Sequence, residues 1–309
     1  MAKKRTKNLY ALLSSVVIVL AAVILISRGD GIDGAVNRFL NSIAMSSVYT
    51  NGPAEGEIEV HIIDVGQGDS VLIRSTEGNI LIDAGTVDSK AYLKAYLDAC
   101  GIKTISYFIC SHPHDDHIGG ADMILDSYSV ETLLMPDTLS YSYTFEALLD
   151  GIEKHGVNAE ISELGSEYTL GDITMKVLAP IETTDEMNNM SLVIKLTYGE
   201  TSFVFTGDAE AASEQLMLEY YDVDELDCDF LKVGHHGSDT SSAKAFLEAL
   251  SPKIAAVSCA KENSYGHPRG EVLQRLADSG CETILRTDTM GTSVVRSDGT
   301  EISVLITQQ

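Results

Sequence analysis

Ser111-His112-Pro113-His114-Asp115-Asp116-His117 is the stretch on which the reading of this chain turns. It follows an apolar run at 105–110 that reads as a short buried strand, so it lies on the loop where that strand ends. In extended backbone His112 and His114 point to the same side, which lets two imidazoles reach one cation. Asp116 and His117 lie a turn further on and can reach a second cation nearby. Borderline divalent metals favour this mix of imidazole and carboxylate. A lone histidine is ordinarily a surface or core residue, but three His and two Asp within six residues are more than packing accounts for.

Working outward, four more segments carry an acid or a histidine, three of them just beyond a strand-like run. Asp83 ends the run 80–82 in Leu-Ile-Asp-Ala-Gly. It reads either as a turn cap or as an acid that holds the histidine loop by hydrogen bonds. Asp208, in Thr206-Gly207-Asp208, follows 203–205; its two oxygens suit it to bridge two cations, and Gly207 permits close approach. Val233-Gly234-His235-His236-Gly237-Ser238 follows another strand. Neighbouring histidines in extended chain diverge, so one of His235 and His236 is expected to bind metal, with His236 favoured. Gly237 and Ser238 read as opening a helix, either offering N–H and O–H groups to an anion or simply capping it. Tyr265-Gly266-His267-Pro268 precedes the last helix, and His267 reads as a ligand, a general acid or a surface residue. His61 and His155 are isolated and read as structural.

Strands are expected at 57–64, 70–74, 80–82, 105–110 and 132–135, with helices at 89–100, 121–125 and 144–154. The second half repeats the style. Strands are expected at 174–179, 192–198, 202–206, 229–233, 254–258, 283–286, 292–296 and 302–306, and helices at 210–220, 243–250 and 271–279. Two β-rich halves, each carrying helices, predict two packed sheets with helices outside.

The body carries strong negative charge: the net charge of the 309 residues is -25 although Lys3, Lys4, Arg5 and Lys7 crowd the start. A general basic footprint for nucleic acid is therefore excluded, and solubility is the plain reading of the acidity. The five cysteines form no CxxC pair, and Cys110 and Cys259 sit in apolar runs, so a disulfide framework is not expected. Residues 9–26 carry no charge; at 1.5 Å per residue they make about 27 Å, close to a hydrocarbon core. Residues 1–27 thus read as a basic cytoplasmic tip and transmembrane anchor with the body outside the cytoplasm. A signal peptide cleaved to release a secreted protein is the alternative. Residues 28–56, rich in Gly, Asn and Ser, read as a spacer, and 57–309 as one large domain.

The segment His112-x-His114-x-Asp116-His117 resembles the signature of the metallo-β-lactamase superfamily, and Asp83, Asp208 and the His235-His236 doublet fall in its chain order. The resemblance narrows through Asp64-Val65-Gly66-Gln67-Gly68-Asp69-Ser70, Thr206-Gly207-Asp208, His235-His236-Gly237-Ser238 and Tyr265-Gly266-His267-Pro268, which look like the hydrolase domain of the competence protein ComEC. It runs from about residue 57 to the C-terminus.

This resemblance implies an α+β fold, an αββα sandwich with the site at one edge, preceded in this chain by the single N-terminal helix. It implies two divalent metal ions, zinc or manganese, held by His112, His114, Asp116, His117, Asp208 and the doublet. The catalytic set would be Asp116, Asp83 and His267, the last protonating a leaving oxygen. Gln67, Asp69, Asn188, Ser238 and Tyr265 would meet the substrate. The closest analogy is a phosphodiesterase or nuclease acting on a phosphodiester or another small anion, DNA included, with DNA-uptake or envelope proteins as partners. The alternatives are a lactone, β-lactam or thioester hydrolase, and a non-catalytic anchored module. Two departures stand out. Many superfamily members carry a further histidine before the Asp208 strand, where this chain has residues 185–191 without one. The first metal would then have His112, His114 and Asp208, with Asn188 or Asn189, a set that shifts preference toward manganese. And one anchor without a pore cannot move DNA by itself.

Overall fold

The computed structural model describes residues 52–307. The expected anchor and all but the end of the expected spacer lie outside these residues. Among the described residues, no helix is long and apolar enough to cross a membrane.

The first half supplies β1 (Ile58–Ile62), β2 (Val71–Arg74), β3 (Asn79–Ile82), β4 (Thr104–Ile109), β5 (Ser129–Met135) and β6 (Asn158–Ile161). Its helices are α1 (Lys90–Ala99), α2 (Asp115–Ile118), α3 (Ala121–Ser127) and α4 (Tyr143–His155). The second half supplies β7 (Glu167–Leu170), β8 (Ile173–Ala179), β9 (Val193–Tyr198), β10 (Thr201–Phe205), β11 (Phe230–Lys232), β12 (Ile254–Val257) and β13 (Thr283–Arg286), then β14 (Ser293–Ser297) and β15 (Ile302–Thr307). Between these strands lie α5 (Ala211–Tyr220), α6 (Val223–Leu226), α7 (Lys244–Leu250), α8 (Gly270–Asp278) and α9 (Thr287–Met290).

Two sheets form: an eight-stranded one in the order β15-β14-β1-β2-β3-β4-β5-β6, and a seven-stranded one in the order β13-β12-β11-β10-β9-β8-β7. The period-2 alternation of side chains explains the layering. In β3, Ile80 and Ile82 enter the core between the sheets, while Leu81 joins the apolar layer under the first-half helices. In β10, Phe203 and Phe205 face the inter-sheet core and Val204 faces the second-half helices. Both faces of each sheet are thus covered, giving helix, sheet, sheet, helix. The halves are not separate in sequence: β14 returns to pair antiparallel with β1, so the C-terminal hairpin completes the first sheet rather than the second.

Two short strands, β6 and β7, were not expected. Both lie at a sheet edge and are largely exposed, so their sequences carry little apolar signal. Helix α4 shows how local sequence sets an end. The Ser142 hydroxyl accepts the Phe145 N–H at 3.2 Å, and Gly156 ends the helix in the left-handed region. The five cysteines are free thiols, four of them buried.

Strands β3 to β6 run parallel, as do β10 to β13. Their carboxyl ends, where α/β sheets present their loops, carry Asp83, the 111–117 loop, Asp208 and the His235-His236 doublet.

Candidate metal centre

The 111–117 loop is held from below by Asp83. This residue has a left-handed φ of 58° and sits immediately after β3. Its Oδ1 accepts the Ser111 N–H at 2.7 Å, and its Oδ2 accepts the Ser111 hydroxyl and His117 Nδ1–H, each at 2.7 Å. With Nδ1 so engaged, His117 turns Nε2 toward the site. His112 Nε2 and His114 Nδ1 lie 2.9 Å apart.

Asp208 enters through a loop that packs closely on this one. A Cβ at Gly207 would stand 2.9 Å from Ser111 Cβ, and its φ of 52° is one that glycine adopts without strain. The Asp208 N–H donates to Ser191 Oγ at 3.1 Å, and the same hydroxyl lies 3.3 Å from His112 Nδ1. The carboxylate stands between the histidines. Its Oδ1 is 3.2 Å from His117 Nε2 and 3.7 Å from His236 Nε2, while its Oδ2 is 3.8 Å from His112 Nε2. Asp116 Oδ2 approaches His236 Nε2 at 3.2 Å.

Beside a fully buried group of Asp69, Asp83 and His117, two groups of ligand atoms result that share Asp208, each within 4.8 Å of one another: Asp116, His117, Asp208 and His236, and then His112, His114 and Asp208. His117 Nε2, His236 Nε2 and Asp208 Oδ1 are buried without a hydrogen-bond partner. Orphaned polar atoms of this kind are costly, and a divalent cation supplies what all three lack. The residues therefore fit a metal centre with imidazole and carboxylate donors.

Charge tells the same story. Burial opposes the charge on Asp208, but the facing imidazoles of His117 and His236 outweigh it and hold the carboxyl well below the usual carboxylate range. Burial likewise opposes a charged His236, yet Asp208 and Asp69 lift its pKa to about 10. His112 goes the other way: burial and the neighbouring His117 push it well below the ordinary value. Burial opposes a charged His117 as well, but Asp208 and Asp83 hold it well above the ordinary imidazole value, so the charged forms of both His117 and His236 are favoured where cations would otherwise bind.

Around this centre lies a cleft of about 340 Å³, whose walls include Gln67, Asp116, Asn188, His235, Tyr265 and His267. Gln67 Oε1 accepts the Ala260 N–H at 3.1 Å. Asn188 Nδ2 donates to Glu210 at 3.3 Å, while its Oδ1 is buried without a partner. The other amide considered, Asn189, is engaged elsewhere: its Oδ1 accepts the Glu210 and Ser213 N–H groups at the start of α5. Tyr265 is exposed and stacks on His267 at 5.6 Å between ring centres. Burial, then the neighbouring His236 and His235, lower the His267 pKa to about 4.

Two expected substrate contacts lie elsewhere. Asp69 is buried beneath the doublet, ion-paired with Lys232 Nζ at 2.7 Å and 3.5 Å from His236 Nδ1. Ser238 does not open a helix: a 3₁₀ turn spans Gly234–Gly237, and α7 starts only at Lys244. The Ser238 hydroxyl is buried against Thr240 at 3.0 Å. His61 packs in the interior, 2.8 Å from the Tyr96 hydroxyl, and His155 pairs at the surface with Asp126.

Four residues with no role in the sequence reading brace the centre. Lys232 neutralises Asp69. The Ser258 carbonyl accepts His236 Nδ1–H at 3.0 Å. Glu210 lies 3.2 Å from His235 Nδ1. Glu214 accepts the Ser242 and Ala243 N–H groups at 2.5 and 2.8 Å, tying the helix after Asp208 to the loop after the doublet. Lys232 left a trace, as a lone cation at the end of the apolar run Phe230-Leu231; the others left none.

Fold and site are those of the metallo-β-lactamase fold, and the chain belongs to the metallo-beta-lactamase superfamily, whose model matches residues 63–261. It is 34% identical over 265 residues to ComE operon protein 3 of Bacillus subtilis (strain 168), across 79% of this chain and 33% of that protein. It is 30% identical over 239 residues to competence protein ComA of Neisseria gonorrhoeae, across 77% and 32%. The resemblance to ComEC-like competence proteins read from the motifs therefore holds. The chain spans about a third of the length of these curated relatives. Among solved structures, the metallo-beta-lactamase fold protein YhfI from Bacillus subtilis superposes with a TM-score of 0.52 at 13% identity, over 78% of this chain and 99% of that one, a likeness of fold alone.

Proposed function

We propose that the chain is a metal-dependent phosphodiesterase whose centre is built by His112, His114, Asp116, His117, Asp208 and the doublet, with manganese or zinc as its cations. One observation carries this reading: Asp208 stands between two converging donor groups on the wall of an open cleft. Bound divalent cations would supply Lewis acidity and a water of lowered pKa.

The chain's own residues do the positioning. Asp83 and the Ser258 carbonyl fix the tautomers of His117 and His236, so that both rings turn Nε2 inward. Asp208 and Asp116 keep negative charge in the site near neutral pH. In the metal-free site the positive forms of His117 and His236 are favoured beside those carboxylates; bound cations would take over that balance and offer positive charge to a phosphate. His267 is neutral above about pH 4, which favours a hydrogen-bonding contact with the substrate over delivery of a proton to the leaving oxygen. Gln67 and Tyr265 line the same cleft.

The likeness to competence proteins is consistent with DNA or another anionic phosphodiester as this chain's substrate. We further propose that residues 9–26 anchor the chain with its body outside the cytoplasm, on the hydropathy and flanking charge of that run. The direct test is hydrolysis of bis(p-nitrophenyl) phosphate by the full chain with added Mn²⁺ or Zn²⁺, beside a lactone and a β-lactam panel. Turnover of the diester, lost in His114→Ala and Asp116→Ala, is the expected result. Turnover confined to the lactones or β-lactams, or a full rate in both variants, would overturn it.

A further inference from the structure

The two donor groups are unequal: Asp116, His117, Asp208 and His236 offer four ligand atoms, whereas His112, His114 and Asp208 offer three. Such cations take four or more ligands, and three protein donors leave a position to fill. The Asp208 carboxylate marks the residue beside that position. Its Oδ1 faces His117 and His236, at 3.2 and 3.7 Å from their Nε2 atoms. Its Oδ2 faces His112 Nε2 at 3.8 Å and His235 Nε2, also at 3.8 Å. His235 therefore attends the oxygen that serves the smaller group, which it meets through Asp208 alone.

The surroundings of His235 are those of a ligand. Its φ of 47° and the φ of 54° at His236 put two consecutive non-glycine residues in the left-handed region, a conformation that costs free energy and persists where the surroundings demand it. In extended chain the two rings would diverge; with this bend both reach Asp208. The outer nitrogen of His235 is engaged, with Nδ1 3.2 Å from Glu210 Oε1 and 3.1 Å from Thr240 Oγ1. That arrangement places the proton on Nδ1 and turns the Nε2 lone pair inward, as outer carboxylates do for metal-bound histidines. Glu210 is itself held, accepting from Thr240 Oγ1 at 2.9 Å and Asn188 Nδ2 at 3.3 Å.

We infer that His235 is the fourth protein donor to the cation held by His112, His114 and Asp208, so that the doublet serves both metal positions, His236 one and His235 the other. This rests on the metal-dependent reading above, but not on the bond that is hydrolysed.

The test is metal binding by the full chain, stripped with chelator and titrated with Co²⁺ followed by visible absorption, then with Mn²⁺ followed by the resonance of the free ion. Two equivalents are expected. In His235→Ala one equivalent keeps its affinity, while the other weakens by about tenfold or more and its Co²⁺ band changes in shape. Glu210→Gln should weaken the same equivalent by less, and His236→Ala the other one. His235→Gln and the circular dichroism of the stripped variants guard against a misfolded protein. Unchanged affinity and spectrum in His235→Ala would overturn the inference, even if KM rose, because His235 would then be a substrate contact only. Fewer than two equivalents on the unaltered chain would overturn it as well. Two intact equivalents without diester hydrolysis would sink the phosphodiesterase reading and leave this one standing.

Discussion

Asp83 Oδ2 lies 2.7 Å from His117 Nδ1, on the side of the ring that faces away from the cleft. The same carboxylate holds the Ser111 N–H and hydroxyl, so one acid fixes both the orientation of a ligand and the loop that carries it. Asp83→Asn keeps the shape and removes an acceptor for the ring proton. Metal affinity is expected to fall by about 10- to 100-fold, measured by chelator competition. An unchanged affinity would reduce Asp83 to a loop staple.

Lys232 and Asp69 form a second buried pair, at 2.7 Å, beneath His236. Breaking such a pair from one side strands a charge and costs about 3–5 kcal/mol. Lys232→Met should therefore lower the urea midpoint strongly, because Asp69 would remain buried and charged. Adding Asp69→Asn should restore much of the loss. If the double variant is no more stable than the single one, the pair does not carry the energy.

Glu214 makes a pH prediction. Burial raises its pKa to about 7 from an ordinary 4.5, against the two backbone N–H groups it accepts. A raised carboxyl holds more protons folded than unfolded between those values, so stability falls as pH rises through that window. The loss is on the order of 3 kcal/mol. Relative to Glu214→Gln, the wild-type chain should lose stability between pH 4.5 and 7 and change little above. Parallel denaturation curves at each pH would remove Glu214 from the account.

Much of the fold is legible because burial and chemistry leave separate marks. The run before Ser111 is mostly apolar, and the polar cluster after it has no packing explanation, so strand, loop and metal chemistry can be read together. The strands β3, β4, β10 and β11 are short, largely apolar and followed within three residues by Asp83, His112, Asp208 or His235. What stays hidden depends on tertiary partners. Asp69 reads as a motif residue, and only the folded chain sets Lys232 against it. The divergence expected for His235 and His236 assumes extended backbone, and nothing in those two side chains announces a left-handed φ. Strands β6 and β7 escape because edge strands bury little, and the return of β14 to β1 is a long-range pairing with no local signature.

Removing the cations gives a last prediction, in which stability and pH act together. Without them, the His236 pKa stands near 10 against an ordinary 6.5, because Asp208 and Asp69 outweigh the cost of burial. The stripped folded protein then holds a proton that the unfolded chain has released. That contribution is complete below about pH 6.5 and is lost as pH rises through about 10. A cation-loaded site has no such proton to lose, since the ligand nitrogens must be deprotonated to bind. Loading stabilises by mass action at any given pH. The gap in unfolding temperature between loaded and stripped protein should therefore widen steadily from pH 6.5 to 10, with protons released on binding at the lower end. Scanning calorimetry across that range, with calorimetric titration in buffers of different ionisation enthalpy, measures both. A gap that stays constant with pH, with no proton release, would mean that His236 is neutral in the stripped protein and that its approach to Asp208 is not the ion pair described.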